Sequence, residues 1–132
     1  MRPVCVDAVI VKGGNILLLR RNHDPFLGYW VLPGGYVEED ETVEEALVRE
    51  IKEETGLDVR IVKLVGVFSG PDRDPRHTVS VAFLAIPKSG KLALNKEATE
   101  AKWFPIHKLP ENIGFDHKEI IKEAIARLPA NI

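Results

Sequence analysis

The chain has a single cysteine, Cys5, among its 132 residues. No intrachain disulfide can form, so the fold must rest on its core alone. Cysteine usage of this kind fits a reducing compartment, and a cytoplasmic location is expected. A surplus of charge of one sign is also lacking: Lys and Arg number 18, Asp and Glu 20, for a net charge of -2. That balance excludes a general attraction to nucleic acid or to an anionic membrane. An anionic ligand would have to be held by local cations or by a metal. No apolar run approaches the roughly 20 residues of a membrane span, and the N-terminal stretch MRPVCVDAVIV lacks a signal-peptide layout. Heptad and methionine stripes, cysteine–histidine zinc spacings, Ser/His/Asp nucleophile arrangements, internal repeats and low-complexity tracts are absent as well. What is left is a chain of one-domain length. It is long enough to bury roughly two-thirds of the surface its unfolded state exposes, and a single domain over residues 1–132 is expected.

The pattern along that domain alternates strands and helices. Val4 to Val11 is rich in β-branched residues, Lys12-Gly13-Gly14-Asn15 is turn chemistry, and Ile16 to Arg21 reads as the returning strand of a hairpin. Trp30-Val31-Leu32 is a short apolar segment ended by Pro33-Gly34-Gly35. Thr42 to Thr55 reads as a helix, with Thr42 and Glu45 spaced as a capping box and Gly56 as its stop. Val59–Ser69, His77–Ile86 and Lys102–Ile106 are strand candidates. Asp116 to Leu128 is a second helix with Asp116 as N-cap. This order predicts an α/β fold with a mixed sheet covered on both faces.

The first helix carries an unusual density of acid. Each residue turns the helix by about 100°. With Glu50 as reference, Val43, Ala46, Leu47 and Ile51 form an apolar stripe, and Glu53 and Glu54 fall on or beside it. A solvated face would point these glutamates outward. Carboxylates spaced i, i+3 and i+4 lie about 5–6 Å apart at Cβ, and at about 5 Å two such charges repel by about 3 kcal/mol at an effective dielectric of about 20. Three of them need a positive partner. Arg49 can neutralise one, and a divalent cation the others; oxygen-only donors suit Mg²⁺ or Mn²⁺. The plainer reading is an amphipathic helix whose glutamates pair with distant lysines.

Gly35, five residues, Glu41, seven residues and then Arg49-Glu50-Ile51-Lys52-Glu53-Glu54-Thr55-Gly56-Leu57 resembles the Nudix box at every specified position. The likeness extends to Trp30-Val31-Leu32-Pro33-Gly34 and to the strand order. The resemblance implies an α/β/α sandwich and Mg²⁺-dependent hydrolysis of a nucleoside diphosphate linked to another moiety, with Mn²⁺ as substitute. It implies Glu50, Glu53 and Glu54 as metal ligands, with the Gly35 carbonyl as a further one, and an Arg49–Glu41 ion pair as support. A proton-accepting carboxylate is expected at Glu53, or at Glu97 or Glu100 in "NKEATEAKW". Relatives of this kind are often dimers, so a homodimer is a further expectation.

The box leaves the substrate open. Pro71 lies 15 residues beyond Gly56, a position that resembles the marker of ADP-ribose pyrophosphatases. In the loop "GPDRDPR", Arg73 and Arg76 have forked donors suited to phosphate or ribose oxygens, and Asp72 or Asp74 suits ribose hydroxyls. Tyr29 is a candidate for stacking on adenine, whereas Trp30 reads as core. Modified nucleoside triphosphates or dinucleoside polyphosphates are the alternative substrates, and a module that only senses a nucleotide is a reading of another class.

Overall fold

Val4–Lys12 forms the first strand, β1, which is buried on both faces for most of its length. Its β-branched residues suit a pleated surface, and successive side chains feed two different cores. Val6, Ala8 and Ile10 enter one; Val9 and Val11 enter the other. Gly13 and Gly14 take φ of 55° and 78°, the conformation a two-residue hairpin turn demands, and β2 (Asn15–Arg21) returns antiparallel. In the computed structural model, which describes residues 1–132, the chain continues through β3 (Trp30–Val31), β4 (Gly34–Tyr36), α1 (Val43–Thr55), β5 (Leu57–Phe68), β6 (Val79–Gly90), β7 (Ala98–Pro105) and α2 (His117–Ala126).

The sheet is mixed. β1 and β6 run parallel from Val4↔Val79 to Ile10↔Ala85, and the other strand pairs are antiparallel. The order is β3-β2-β1-β6-β5, with β4 added to β1 and β7 to β2. One helix covers each face. Ala46, Leu47 and Ile51 of α1 pack on Val6, Ala8 and Ile10, while Ile120, Ile121 and Ala124 of α2 pack on Val9, Val11 and Leu84. Leu47 and Ile51 are fully buried and each contributes about 1.5–3 kcal/mol of transfer free energy. The result is an α/β/α sandwich, as the element order and the box predict.

The ends of α1 follow the sequence closely. Thr42 Oγ1 accepts the Glu45 N–H, the Glu45 side chain accepts the Thr42 N–H, and Gly56 closes the helix in the left-handed conformation. The start of α2 does not. Asp116 occupies the N-cap position but makes no capping bond, because an arginine 43 residues away holds its carboxylate. The strands also run longer than local pattern suggests: β7 starts at Ala98, where it still pairs with β2.

One feature of the sheet makes room for a site. β1 pairs with β2 only near the hairpin, at Val11↔Ile16 and Lys12↔Asn15. Toward its N-terminal end it pairs instead with β4, Cys5↔Tyr36 through Asp7↔Gly34. The segment expected to terminate a strand, Gly34-Gly35, is therefore a strand itself.

Candidate active site

Where β1 and β2 part, a cleft of about 210 Å³ opens. Its acidic wall is built by α1 and β4. Arg49 is the fastener. Its Nε and Nη2 donate to the two oxygens of Glu41 at 2.9 and 2.6 Å, its Nη1 donates to Glu50 at 2.8 Å and Glu53 at 3.1 Å, and its Nη2 also reaches the Tyr36 carbonyl at 3.1 Å. Such forked, charge-assisted bonds fix orientation as well as position. The Arg49 bonds, helped by the Glu38 backbone, hold the Glu41 carboxyl down at about 2.

β4 fits between the helix and β1 because two side chains are missing. A β-carbon at Gly35 would overlap the Glu50 carboxyl, and one at Gly34 would overlap the Val6 carbonyl. The Gly34 N–H donates to Glu54 Oε1 at 2.9 Å. Glu54 is buried. Burial raises its pKa to about 8 against the pull of that N–H, with Glu97, Glu50 and Asp7 adding to the rise. Burial also raises Glu50, which Arg49 partly offsets.

The opposite wall is cationic and aromatic. It comes from the 70–78 loop, the end of β2 and the start of α2. Arg76 and Arg21 both line the cleft, and their guanidinium carbons lie 5.4 and 5.1 Å from the Phe115 ring centre. Burial and the neighbouring Arg76 lower the Arg21 pKa. Beneath this wall is a polar layer. Asp7 of β1 accepts from Ser80 and lies 3.5 Å from His117 Nε2. His117 Nδ1 accepts the Leu32 N–H at 2.9 Å, which leaves the proton on Nε2, facing Asp7. Burial, ahead of its charged neighbours, lowers the His117 pKa below 6.5.

The cleft gathers Gly35, Glu50, Glu54, Glu97, Arg73 and Arg76 from the residues singled out in the sequence. Others fall elsewhere. Glu53 lies outside the lining with its side chain 57% exposed; it sits about 60° round the helix from Glu50, on the edge of the stripe rather than within it. Glu100 is drawn toward Arg20, 3.6 Å away, and Tyr29 packs edge-on against Phe26. Pro71 is exposed and its carbonyl accepts from His77 Nδ1 at 3.0 Å. Arg73 lines the cleft but is not free for a ligand. Its side chain is 3% exposed; it donates twice to Asp116, at 2.9 and 2.7 Å, and to Thr78 Oγ1 at 2.6 Å. Asp74, suggested for ribose, is likewise buried and takes Arg76 and Thr78 as partners. Asp7, Arg21 and Phe115 were not singled out. A lone acid within the apolar run of β1 was the available signal for Asp7; Arg21 and Phe115 carried none.

Residues 1–124 match the NUDIX domain. The chain belongs to the NUDIX family. It is 50% identical over 121 residues to an ADP-ribose pyrophosphatase of Methanocaldococcus jannaschii, an overlap of 91% of this chain and 71% of that one. Among solved structures, it superposes with a TM-score of 0.86 on a MutT/nudix family protein from Enterococcus faecalis, at 31% identity, over 96% of this chain and 62% of that one. It superposes with a TM-score of 0.83 on the NUDIX domain of Shewanella oneidensis NrtR complexed with ADP ribose, at 28% identity, over 98% and 90% of the two chains.

The donor set of this NUDIX cleft fits a hard divalent cation. Every donor on the acidic wall is oxygen, and the neighbouring Glu50 and Glu54 carboxylates are both pushed toward protonation by burial, a cost that a cation between them would relieve. No three such side chains converge on one point in this conformation. One Arg49 nitrogen engages both Glu50 and Glu53.

Proposed function

We propose that this NUDIX protein is a Mg²⁺-dependent hydrolase of nucleoside diphosphates linked to another moiety, with ADP-ribose as its substrate and AMP and ribose 5-phosphate as its products. The observation that carries the reading is the meeting of two walls in one cleft, half-buried Glu50 and buried Glu54 on one and Arg76 and Arg21 on the other. The 50% identity to an ADP-ribose pyrophosphatase supports the choice of substrate.

Glu50, Glu54 and the Gly35 carbonyl would hold the cation, with Glu53 at the rim, and Mn²⁺ would serve in place of Mg²⁺. When bound, the cation supplies charge neutralisation at phosphate and a more acidic bound water. The chain's own groups do the rest. Arg76 and Arg21 neutralise phosphate oxygens on the far side, and Arg49 keeps the acidic wall rigid. Glu97, which lines the cleft and adds to the field on Glu50 and Glu54, is the carboxylate best placed to accept the proton of the attacking water; Glu53 is the alternative. Water adds to one phosphorus, the bridging P–O bond breaks, and the bridge oxygen leaves on the other phosphate.

A module that binds ADP-ribose without cleaving it is the second reading, favoured by the likeness to the NrtR domain. Incubating the purified protein with Mg²⁺ and ADP-ribose, modified nucleoside triphosphates or dinucleoside polyphosphates decides the matter. The proposal expects ADP-ribose to turn over fastest. Binding without turnover supports the second reading, and faster cleavage of another class replaces the substrate. A homodimer in the cytoplasm belongs to the same proposal, tested by sedimentation and by cell fractionation.

A further inference from the structure

Arg73 and Arg76 lie three residues apart in one loop, yet the structure uses them in opposite ways. Arg73 is interior and has spent its donors on Asp116 and Thr78. Arg76 is 39% exposed at the cleft, where its Nη1 donates to the Tyr36 hydroxyl at 3.2 Å. Between them runs an unbroken chain of bonds. The Thr78 hydroxyl accepts from Arg73 Nη1 and donates its own O–H to Asp74 Oδ2 at 2.8 Å. The buried Asp74 takes Arg76 through Nη2 at 2.7 Å, Nε at 3.0 Å and the backbone N–H at 2.9 Å. Although burial alone raises Asp74, Arg76 and Thr78 together bring it down to about 2. At the other end, Asp116 follows Phe115, whose φ is +53° and whose ring packs against the Arg76 guanidinium.

We infer that Arg73 is a positioning residue: through Thr78 and Asp74 on one side and Asp116 on the other, it fixes Arg76 and Phe115 so that the Arg76 guanidinium is presented to the diphosphate of the substrate. The inference rests on the proposed phosphate chemistry of the cleft and assigns Arg73 no contact with substrate. A lysine at position 73 keeps the charge but cannot grip Asp116 in a bidentate manner while also holding Thr78. Without that grip the Asp74–Arg76 pair loses its anchor, and Arg76 samples orientations that do not meet the anion.

The test is a double-mutant cycle read by calorimetry with inorganic pyrophosphate as ligand. It uses the wild-type protein, Arg73→Lys, Arg76→Ala and the double variant, with thermal denaturation of each. Each single variant should weaken pyrophosphate binding by about 10-fold, and the double variant should be no weaker than Arg76→Ala by more than about 2-fold, because positioning an absent residue has no value. Should Arg73→Lys fail to fold, Thr78→Val replaces it in the same cycle and carries the same expectation. Additive losses, an unchanged Kd in the folded position-73 or position-78 variant, or no pyrophosphate binding by the wild-type protein overturns the inference. Loss of the ADP-ribose reading shows separately, as wild-type protein that binds pyrophosphate but does not cleave ADP-ribose.

Discussion

The Gly34 backbone N–H donates to Glu54 Oε1 at 2.9 Å, joining a residue of β4 to the last turn of α1 across 20 positions of sequence. This bond locks the strand that would carry the Gly35 carbonyl to the helix that carries the carboxylates. It also separates two roles of Glu54. Glutamine keeps an acceptor for Gly34 and, like the protonated acid that burial favours, carries no charge. Glu54→Gln should therefore retain or raise Tm while kcat for ADP-ribose falls about 100-fold or more, since several kcal/mol of charge stabilisation is lost. Thermal denaturation and steady-state rates at saturating Mg²⁺ measure the two sides.

Glu53 is exposed and touches only Arg49. Glu53→Gln should fold normally and lose kcat by about 100-fold or more if the residue ligates the cation or accepts a proton. A wild-type rate assigns the proton to Glu97, and Glu97→Gln is the paired measurement.

Arg49 has a structural and an organising role together. Arg49→Ala leaves Glu41 without its forked partner and frees Glu50 and Glu53 to repel each other. Both Tm and kcat should fall, the rate by about 10-fold or more. Normal values of both would show that the ion pairs do not organise the wall.

His117 gives a pH signature unrelated to catalysis. It is buried among Asp7, Asp116, Arg73 and Arg21, and its folded pKa lies below 6.5. The unfolded chain therefore binds a proton that the folded chain resists. The stability attached to this group is fully present above pH 6.5 and declines as the pH falls through that value. Urea midpoints taken from pH 7.5 to 5 should drop, and His117→Gln should flatten part of that drop. Parallel curves for the two proteins would remove His117 as the cause.

The sequence exposes what is local. The capping box, the Gly56 stop and the Gly13-Gly14 turn depend on neighbours within a few residues, and all three form. The inward direction of Glu50 and Glu54 is legible because helical periodicity alone places both on the apolar stripe. Glu53 was harder, because a residue at the edge of a stripe goes where its nearest partner pulls it, here Arg49. Arg73 was illegible for a different reason: its partner Asp116 is 43 residues away, and nothing within "GPDRDPR" tells a buried arginine from an exposed one. The same pairing takes Asp116 from its cap, since the carboxylate that local pattern assigns to the helix end is engaged by Arg73.

The change of partner along β1 has a consequence for how such a site can vary. β4, which presents the acidic wall, hangs on one edge of β1 at Cys5–Asp7; β6, which anchors the arginine loop, hangs on the other edge at Val4–Ile10. Two strand spacings, about 10 Å, therefore separate the attachments of the two walls. On the proposed function, β1 would act as a ruler for a substrate with one end on a cation and the other on a guanidinium. A one-residue slip of β1 would turn Asp7 to the opposite face and disturb both walls together, so the short segment Cys5-Val6-Asp7 is where tolerance to substitution should be lowest.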